Sequence, residues 1–219
     1  MSYLIKSVSK APEFNCDWNA WNQAETTQLT NVMPQSSSHH PPVAVRLLHD
    51  HDTIYGIFQT KDQYVIANQL NYQNEVCTDS CVEFFFKPST GPGYFNLEMS
   101  AGGAYLFFYI RDHHRTEHGF ADYTRIDEQH GKLIKVRTSL PRTVDPEITT
   151  PLTWTAQFAI PRAAMEDFCG PLGNLDGQHW TCNFYKCAGQ SSHPHWITWA
   201  PIPELNFHLP EYFSPIDFE

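Results

Sequence analysis

Two strand-like runs joined by a loop of Pro, Ser, Thr and Gly stand out between Cys77 and Gly103, in CTDSCVEFFFKPSTGPGYFNLEMSAGG. Successive side chains of a strand point to opposite faces. In the first run Val82, Phe84 and Phe86 therefore share one face, and Cys81, Glu83 and Phe85 the other. In the second, Phe95, Leu97 and Met99 form an apolar face while Asn96, Glu98 and Ser100 alternate with them. Paired as a hairpin, the runs set Glu83, Asn96 and Glu98 on one sheet surface, outside the core. A carboxylate is costly to bury unpaired. That surface must face water, a partner or a ligand, and antiparallel sheets commonly keep one wet face.

The same alternation places further strands. Val43, Val45 and Leu47 alternate, His49-Asp50-His51-Asp52 makes a turn, and Ile54, Gly56 and Phe58 then oppose Tyr55 and Ile57. Ala104 to Ile110 is a nearly continuous apolar strand, whereas Arg111 to His118 is charged and reads as an exposed loop. Leu133 to Leu140, Trp154 to Ile160, His179 to Cys187 and Pro194 to Trp199 complete the strand signals. Residues 12–32 read as an irregular segment over one end of the core. Lys61 to Glu75 reads as a long polar loop, and Arg162 to Phe168 as one short helix led in by Pro161. The tail holds Pro201, Pro203, Pro210 and Pro215, too proline-rich for a central strand, and is expected to wrap an edge or close one end. About nine strands, one short helix and no α-β alternation predict an all-β, antiparallel β-sandwich with jelly-roll or immunoglobulin-like layers. With no internal repeat or linker, residues 1–219 read as a single domain.

Composition narrows the function. A formal net charge of −10 and the lack of any basic run argue against a nucleic-acid surface. No stretch approaches the ~20 apolar residues of a membrane span. The opening MSYLIKSVSKAPEF has neither a sustained apolar segment nor a small-residue cleavage site. The expectation is a chain that works inside the cell or begins after a removed leader. The six cysteines form no C-x-x-C pair and read mostly as small buried thiols, which favours a reducing compartment. Many of the six Trp, ten Tyr and fifteen Phe must be core, and the supply also suits stacking on a flat ligand. His39-His40 reads as loop, and the His49 to Asp52 cluster as a turn in which Asp side chains bond nearby amides.

Several pieces, in order, resemble the family 9 carbohydrate-binding modules and their stand-alone relatives with a DOMON-like sandwich. Trp21 sits near the start, and RLLHDHDTIYGIFQTKD resembles the family's strand, aspartate turn and second strand. TDSCVEFFFKP resembles its D-S-V-E-x-F signature, with GYFNLEMSAGG following at the expected distance. WTAQFAIP resembles a W-x-x-E-x-x-I-P strand with Gln157 in place of the acid, and HWITWAP and FHLPEYFSPIDF close the pattern. The resemblance implies non-catalytic binding of a mono- or oligosaccharide on a concave sheet face, by two clamping tryptophans and polar groups from neighbouring strands. By position it carries the signature glutamate to Glu83, polar contacts to Asn96 and Glu98, and the second clamp to Trp199. Where the first clamp belongs the chain has Cys77, and Tyr72 is the nearest aromatic. Asn183 and Tyr185 alternate with Cys182 and Phe184, so they share a face and are added to the candidate set. No cofactor is expected, though family members can hold structural calcium through Asp and backbone oxygens, which the Asp-rich turns here permit.

Three other readings stay open. Glu83 and Glu98 on paired strands could meet the ~5 Å carboxylate spacing of a retaining glycosidase, although no deep cleft or G-x-S-x-G nucleophile motif is evident. His49 with His51, and His193 with His195, alternate as metal ligands on a strand would, without a carboxylate and third His at a matching spacing. The aromatic supply would also serve a protein-interaction surface.

Overall fold

The computed structural model describes residues 2–219. The chain opens with β1 (Tyr3–Ser7), β2 (Thr27–Leu29), β3 (Asn31–Val32), β4 (Val43–His49), β5 (Thr53–Asp62) and β6 (Val65–Ala67). The central hairpin is β7 (Ser80–Lys87) and β8 (Tyr94–Ser100), followed by β9 (Tyr105–Thr116) and β10 (Gly119–Arg125). Then come β11 (Lys135–Thr138), β12 (Val144–Ile148), β13 (Leu152–Pro161), β14 (His179–Ala188), β15 (Trp196–Thr198) and β16 (Ser214–Phe218). Two single-turn α-helices, Glu128–Gly131 and Glu166–Cys169, are the only α-helices among the described residues.

These strands form the all-β sandwich that the alternation predicts. One layer runs β10-β9-β8-β7-β14-β16 and the other β4-β5-β13-β11. β1 joins them, pairing with β16 through Tyr3 to Ile5 and with β4 through Lys6 and Ser7. The layers meet on stacked aromatic rings. Phe84 lies 4.6 Å from Phe86, 5.2 Å from Phe184 and 5.6 Å from Phe158 across the interface, and Phe58 lies 6.0 Å from Phe184. Such pairs add to the burial of apolar surface that drives the layers together.

Four segments differ from the sequence reading. Arg111 to His118 is not a loop: β9 runs on to Thr116 and β10 returns antiparallel beside it. Pairing with β8 ends at Ile110, so the outer half of β9 has only β10 as a neighbour. A two-stranded arm without a second layer needs no apolar alternation, which is why its sequence looks like loop. The tail ends in β16, inside the sheet between β14 and β1. Pro215 stands near the start of β16, where the described pairing with β1 begins only at Ile216, and the beginning of a strand is a position that accepts proline. Residues 27–32 and 65–67, read as irregular, contribute the short strands β2, β3 and β6.

The histidines read as alternating ligands enter other contacts. His195 Nε2 is 2.8 Å from Lys186 Nζ, and His193 stacks on Tyr64. His49 Nδ1 lies 3.1 Å from the Asp50 carbonyl and His51 Nδ1 2.9 Å from Asp176, while His39, read as loop, is 2.8 Å from Asp62. Lys186 and Asp62 are themselves buried and 3.6 Å apart at one end of the core. Asp50 accepts the amide hydrogens of Asp52 and Thr53, as a turn aspartate does. Its other oxygen accepts from Tyr55, and Asp52 is held by Arg162.

Gly56 is paired opposite Phe158. A Cβ there would stand 2.1 Å from Phe158 Cζ and 2.8 Å from Leu47 Cδ2, and the Phe158 ring is fixed by Phe58 and Phe84. Gly56→Ala is expected to cost about 1–3 kcal/mol by overpacking, read as a lower urea midpoint. An unchanged midpoint would mean that the core is looser than described.

Candidate functional site

The hairpin register puts Glu83 directly opposite Glu98 and Phe85 opposite Asn96. β14 brings Tyr185 beside Glu83 and Cys187 beside Cys81, while β9 brings Leu106 beside Glu98 and Phe108 beside Asn96. The outer face of this layer thus carries two acids and an amide in an apolar setting of Phe85, Tyr94, Leu106, Phe108 and Tyr185. It is not an open wet face. The tail lays Phe207, His208 and Phe213 over it, and the β9–β10 arm adds Phe120 and Tyr123. Glu83, Asn96 and Glu98 are 1%, 1% and 6% exposed.

Between floor and roof lie two adjoining hollows of about 380 and 210 Å³, which share Cys77, Glu98, Arg115 and His208. The larger also holds Asn96, Tyr123 and Arg125, and the smaller Glu83, Cys187, Trp196 and Phe207. Both arginines lie along aromatic faces, Arg115 4.0 Å from the Phe120 ring centre and Arg125 5.4 Å from that of Phe108. A separate hollow of about 240 Å³ lies on the outer face of the other layer. There Arg46 already covers the Trp18 ring at 4.3 Å and spends its donors on Trp18, Asn22 and Thr26.

Burial sets the electrostatics of the floor. Glu83 is pushed well above the usual carboxylate range by burial, reinforced by Cys187 and Glu98 beside it. The Cys187 thiol donates to Glu83 Oε1 at 3.0 Å. Burial also raises Glu98, to about 7, against the opposing pull of the Asn96 amide and Arg115. Asn96 Nδ2 donates to Glu98 Oε1 at 2.9 Å, while Asn96 Oδ1 is buried and accepts from no protein group. His208, at the roof, hydrogen-bonds the Tyr94 hydroxyl at 2.9 Å and is lowered to about 3 by burial, with Arg115 and His113 adding to the effect.

Of the residues singled out from sequence, Glu83, Asn96 and Glu98 meet on this face and line the hollows over it, and the other four do not line those hollows. Trp199 is 3% exposed in the core between the layers, 5.3 Å from Phe184. Tyr72 packs on Tyr105 and donates to the Ile126 carbonyl. Asn183 is fully buried and tied to the backbone of Ala200 on both sides of its amide. Tyr185 belongs to the right face but is fully buried beneath Phe207, stacked at 4.1 Å, with its hydroxyl on the Phe207 carbonyl. The expectation of a stacking Trp199 is corrected by strand parity. Trp196 lies opposite Cys187 in β15, on the outer face, and Trp199 is three residues on, where the side chain points inward. That parity was present in HWITW, but only the pairing of β15 with β14 says which tryptophan faces out. Arg115 was missed because residues 111–118 read as loop, and Tyr123 and Arg125 because GFADYTR carries too little alternation to signal a strand.

Glu98 gives this floor a pH signature. Its carboxyl is protonated in both folded and unfolded chains below about 4.5 and ionised in both above about 7, where burial of the charge is costly. Stability should therefore fall as pH rises from about 4.5 to 7, by up to roughly 3 kcal/mol for this group. Buried His208, lowered to about 3, works in the opposite direction over this range in both proteins, so the readout is the difference: between pH 5 and pH 8, urea unfolding should show the wild type losing stability relative to Glu98→Gln. Identical pH dependence in the two proteins would remove Glu98 as its source.

The sequence model of the group described as carbohydrate-binding family 9 matches residues 18–218. Among solved structures the chain is similar to a proposed carbohydrate-binding protein from Bacteroides uniformis ATCC 8492. The identity is 26% and the TM-score 0.86, with 100% of this chain and 99% of the other covered. It is also similar to a carbohydrate binding module family 9 from Caldicellulosiruptor kristjanssonii, solved in complex with cellotriose and with glucose. Those two structures share 12% identity and a TM-score of 0.62 with this chain, covering 100% of it and 94% and 96% of their own chains, and so bear on the fold alone. Comparison with curated proteins gives no match. Matched in sequence over residues 18–218 and sharing its fold from end to end with these structures, the chain belongs to carbohydrate-binding family 9.

Proposed function

We propose that the cleft over β7, β8 and β14 binds a mono- or oligosaccharide without chemical change, with residues 1–219 acting as one binding unit. The observation that carries this reading is Asn96. Its amide nitrogen holds Glu98, while its oxygen is left without a protein donor beside the larger hollow. Leaving such an acceptor buried and unmade is costly, and a sugar hydroxyl is a donor of the right size. Glu98 offers a second acceptor, and Arg115 and Arg125 offer donors along the rim. A pyranose also presents an apolar C–H face. Trp196 and Phe207 in the smaller hollow, with Tyr123 in the larger, supply rings for it to stack on. The family relative from Caldicellulosiruptor kristjanssonii, solved with cellotriose and with glucose, supports β-glucans as the first ligands to try.

The face-to-face pair Glu83 and Glu98 is what a glycosidase reading would draw on. A retaining enzyme needs one of the two ionised as nucleophile. Here burial raises both, and Glu83 is engaged by the Cys187 thiol. Binding is the better account of the pair.

Calorimetric titration with glucose, cellotriose and a wider oligosaccharide panel tests the proposal. Trp196→Ala should weaken binding by about 1–3 kcal/mol, the usual loss for a stacking aromatic at a binding centre. Trp199→Phe, on a core residue, should leave affinity within threefold, ~0.6 kcal/mol. Affinity that ignores Trp196→Ala, or reducing sugar released from any panel member, would overturn the reading.

A further inference from the structure

At the floor of the smaller hollow, Cys81, Glu83 and Cys187 form a group apart from the sugar contacts proposed for Asn96, Glu98, the arginines and the rings. Cys81 and Glu83 are two residues apart on β7 and so share its outer face, and Cys187 stands directly opposite Cys81 on β14. The two thiol sulfurs and one carboxyl oxygen all lie within 4.8 Å of one another, with Cys187 Sγ 3.0 Å from Glu83 Oε1. The three residues are 0%, 1% and 1% exposed. Two thiols alone in such a place would be ordinary small apolar packing. A carboxyl set between them is not, because it loses its hydration and gains only a weak sulfur donor.

The geometry points to a binding site for one thiophilic divalent cation, with zinc as the probe, held by Cys81 Sγ, Cys187 Sγ and a Glu83 oxygen. Tetrahedral zinc with Zn–S of ~2.3 Å and Zn–O of ~2.0–2.2 Å sets its ligand atoms ~3.5–3.8 Å apart. The observed separations lie within about 1 Å of that, a difference that side-chain rotation can absorb without moving either strand. Two sulfurs and one oxygen suit zinc and exclude the all-oxygen preference of calcium and magnesium. Three protein ligands leave a fourth position open, as in zinc sites that keep a water. Glu83 and Cys187 both line the smaller hollow, so an ion reaches the site from the cleft. Exposed Cys77, whose carbonyl is 3.5 Å from Cys187 Sγ, stands at the rim of that path. The inference holds whether or not the cleft takes a sugar. If it does, a bound ion withdraws Glu83 from the cleft floor.

The test uses the full chain without a histidine tag, kept reduced, and titrated with Zn²⁺ against a chromophoric chelator and with Co²⁺ by absorbance. Expected are one ion per chain, near-ultraviolet thiolate-to-cobalt charge-transfer bands, and a rise in melting temperature with Zn²⁺. Cys81→Ser and Cys187→Ser should each weaken zinc ~100-fold or more, beyond the ~10–100-fold that changes outside the ligands produce. Cys77→Ser should stay within that lesser range. Circular dichroism checks that each variant is folded, and Glu83→Gln, nearly isosteric, provides a ligand loss with little change in packing. Because the cobalt spectrum is taken on the wild type, a folding failure in a variant leaves the test intact. No stoichiometric ion in the reduced protein, cobalt bound without thiolate bands, or folded Cys81 and Cys187 variants that keep full affinity would each overturn the inference. Oligosaccharide titration of the same samples reads the cleft separately, so loss of one function is not mistaken for loss of the other.

Discussion

The register of β7 between β8 and β14 is the constraint on which the rest depends. Every residue from Ser80 to Phe86 is buried, so β7 has an inner face packed in the aromatic core and an outer face packed under a roof. Because side chains alternate strictly, a slip of one residue would drive Glu83 into the rings of Phe84, Phe158 and Phe184 and expel Phe84 to the cleft. The inner ring stack therefore does more than stabilise the sandwich. It fixes which side chains form the floor on the other side.

That coupling explains how a face rich in Phe and Tyr can hold two acids and an amide. The aromatic surroundings strip Glu83 and Glu98 of water and push both toward the protonated form, and the protein supplies only partial compensation through Cys187 and Asn96. The remainder is left for something that enters the cleft. The roof contributes as much as the floor. The β9–β10 arm carries Arg115, Phe120, Tyr123 and Arg125, and the segment after β15 carries Phe207 and His208. One is a two-stranded extension of the sheet and the other a connection between β15 and β16, so the binding residues of the roof project around a rigid floor.

The parts of this arrangement legible in the sequence are those governed by local parity. The alternation of SCVEFFFK and YFNLEMS sorts Glu83, Asn96 and Glu98 from the core residues without knowledge of any neighbour. The strands with clear alternation, β4, β5, β13 and β14, were legible for the same reason. What was not legible needed pairing between distant segments. Trp196 and Trp199 differ only in parity, and the sheet position of β15 decides which of them faces the cleft. Tyr185 has the right parity, yet Phe207, twenty-two residues away, covers it. Pro215 argues against a central strand, and only the pairing of β16 shows it near a strand start, before the described contact with β1 begins. Residues 111–116 read as loop because β10 is their sole strand neighbour and most of their side chains face water.

The central claim is that sugar enters over the outer face of β7, β8 and β14 and meets Trp196. It is tested most directly by fluorine NMR of protein labelled with 5-fluorotryptophan, whose six resonances are assigned by substitution and followed during titration with cellotriose. The account predicts that the Trp196 resonance shifts progressively to saturation while that of Trp199, enclosed beside Phe184, stays in place. A saturable shift of another tryptophan, such as Trp18 on the opposite layer, with Trp196 unmoved would contradict it.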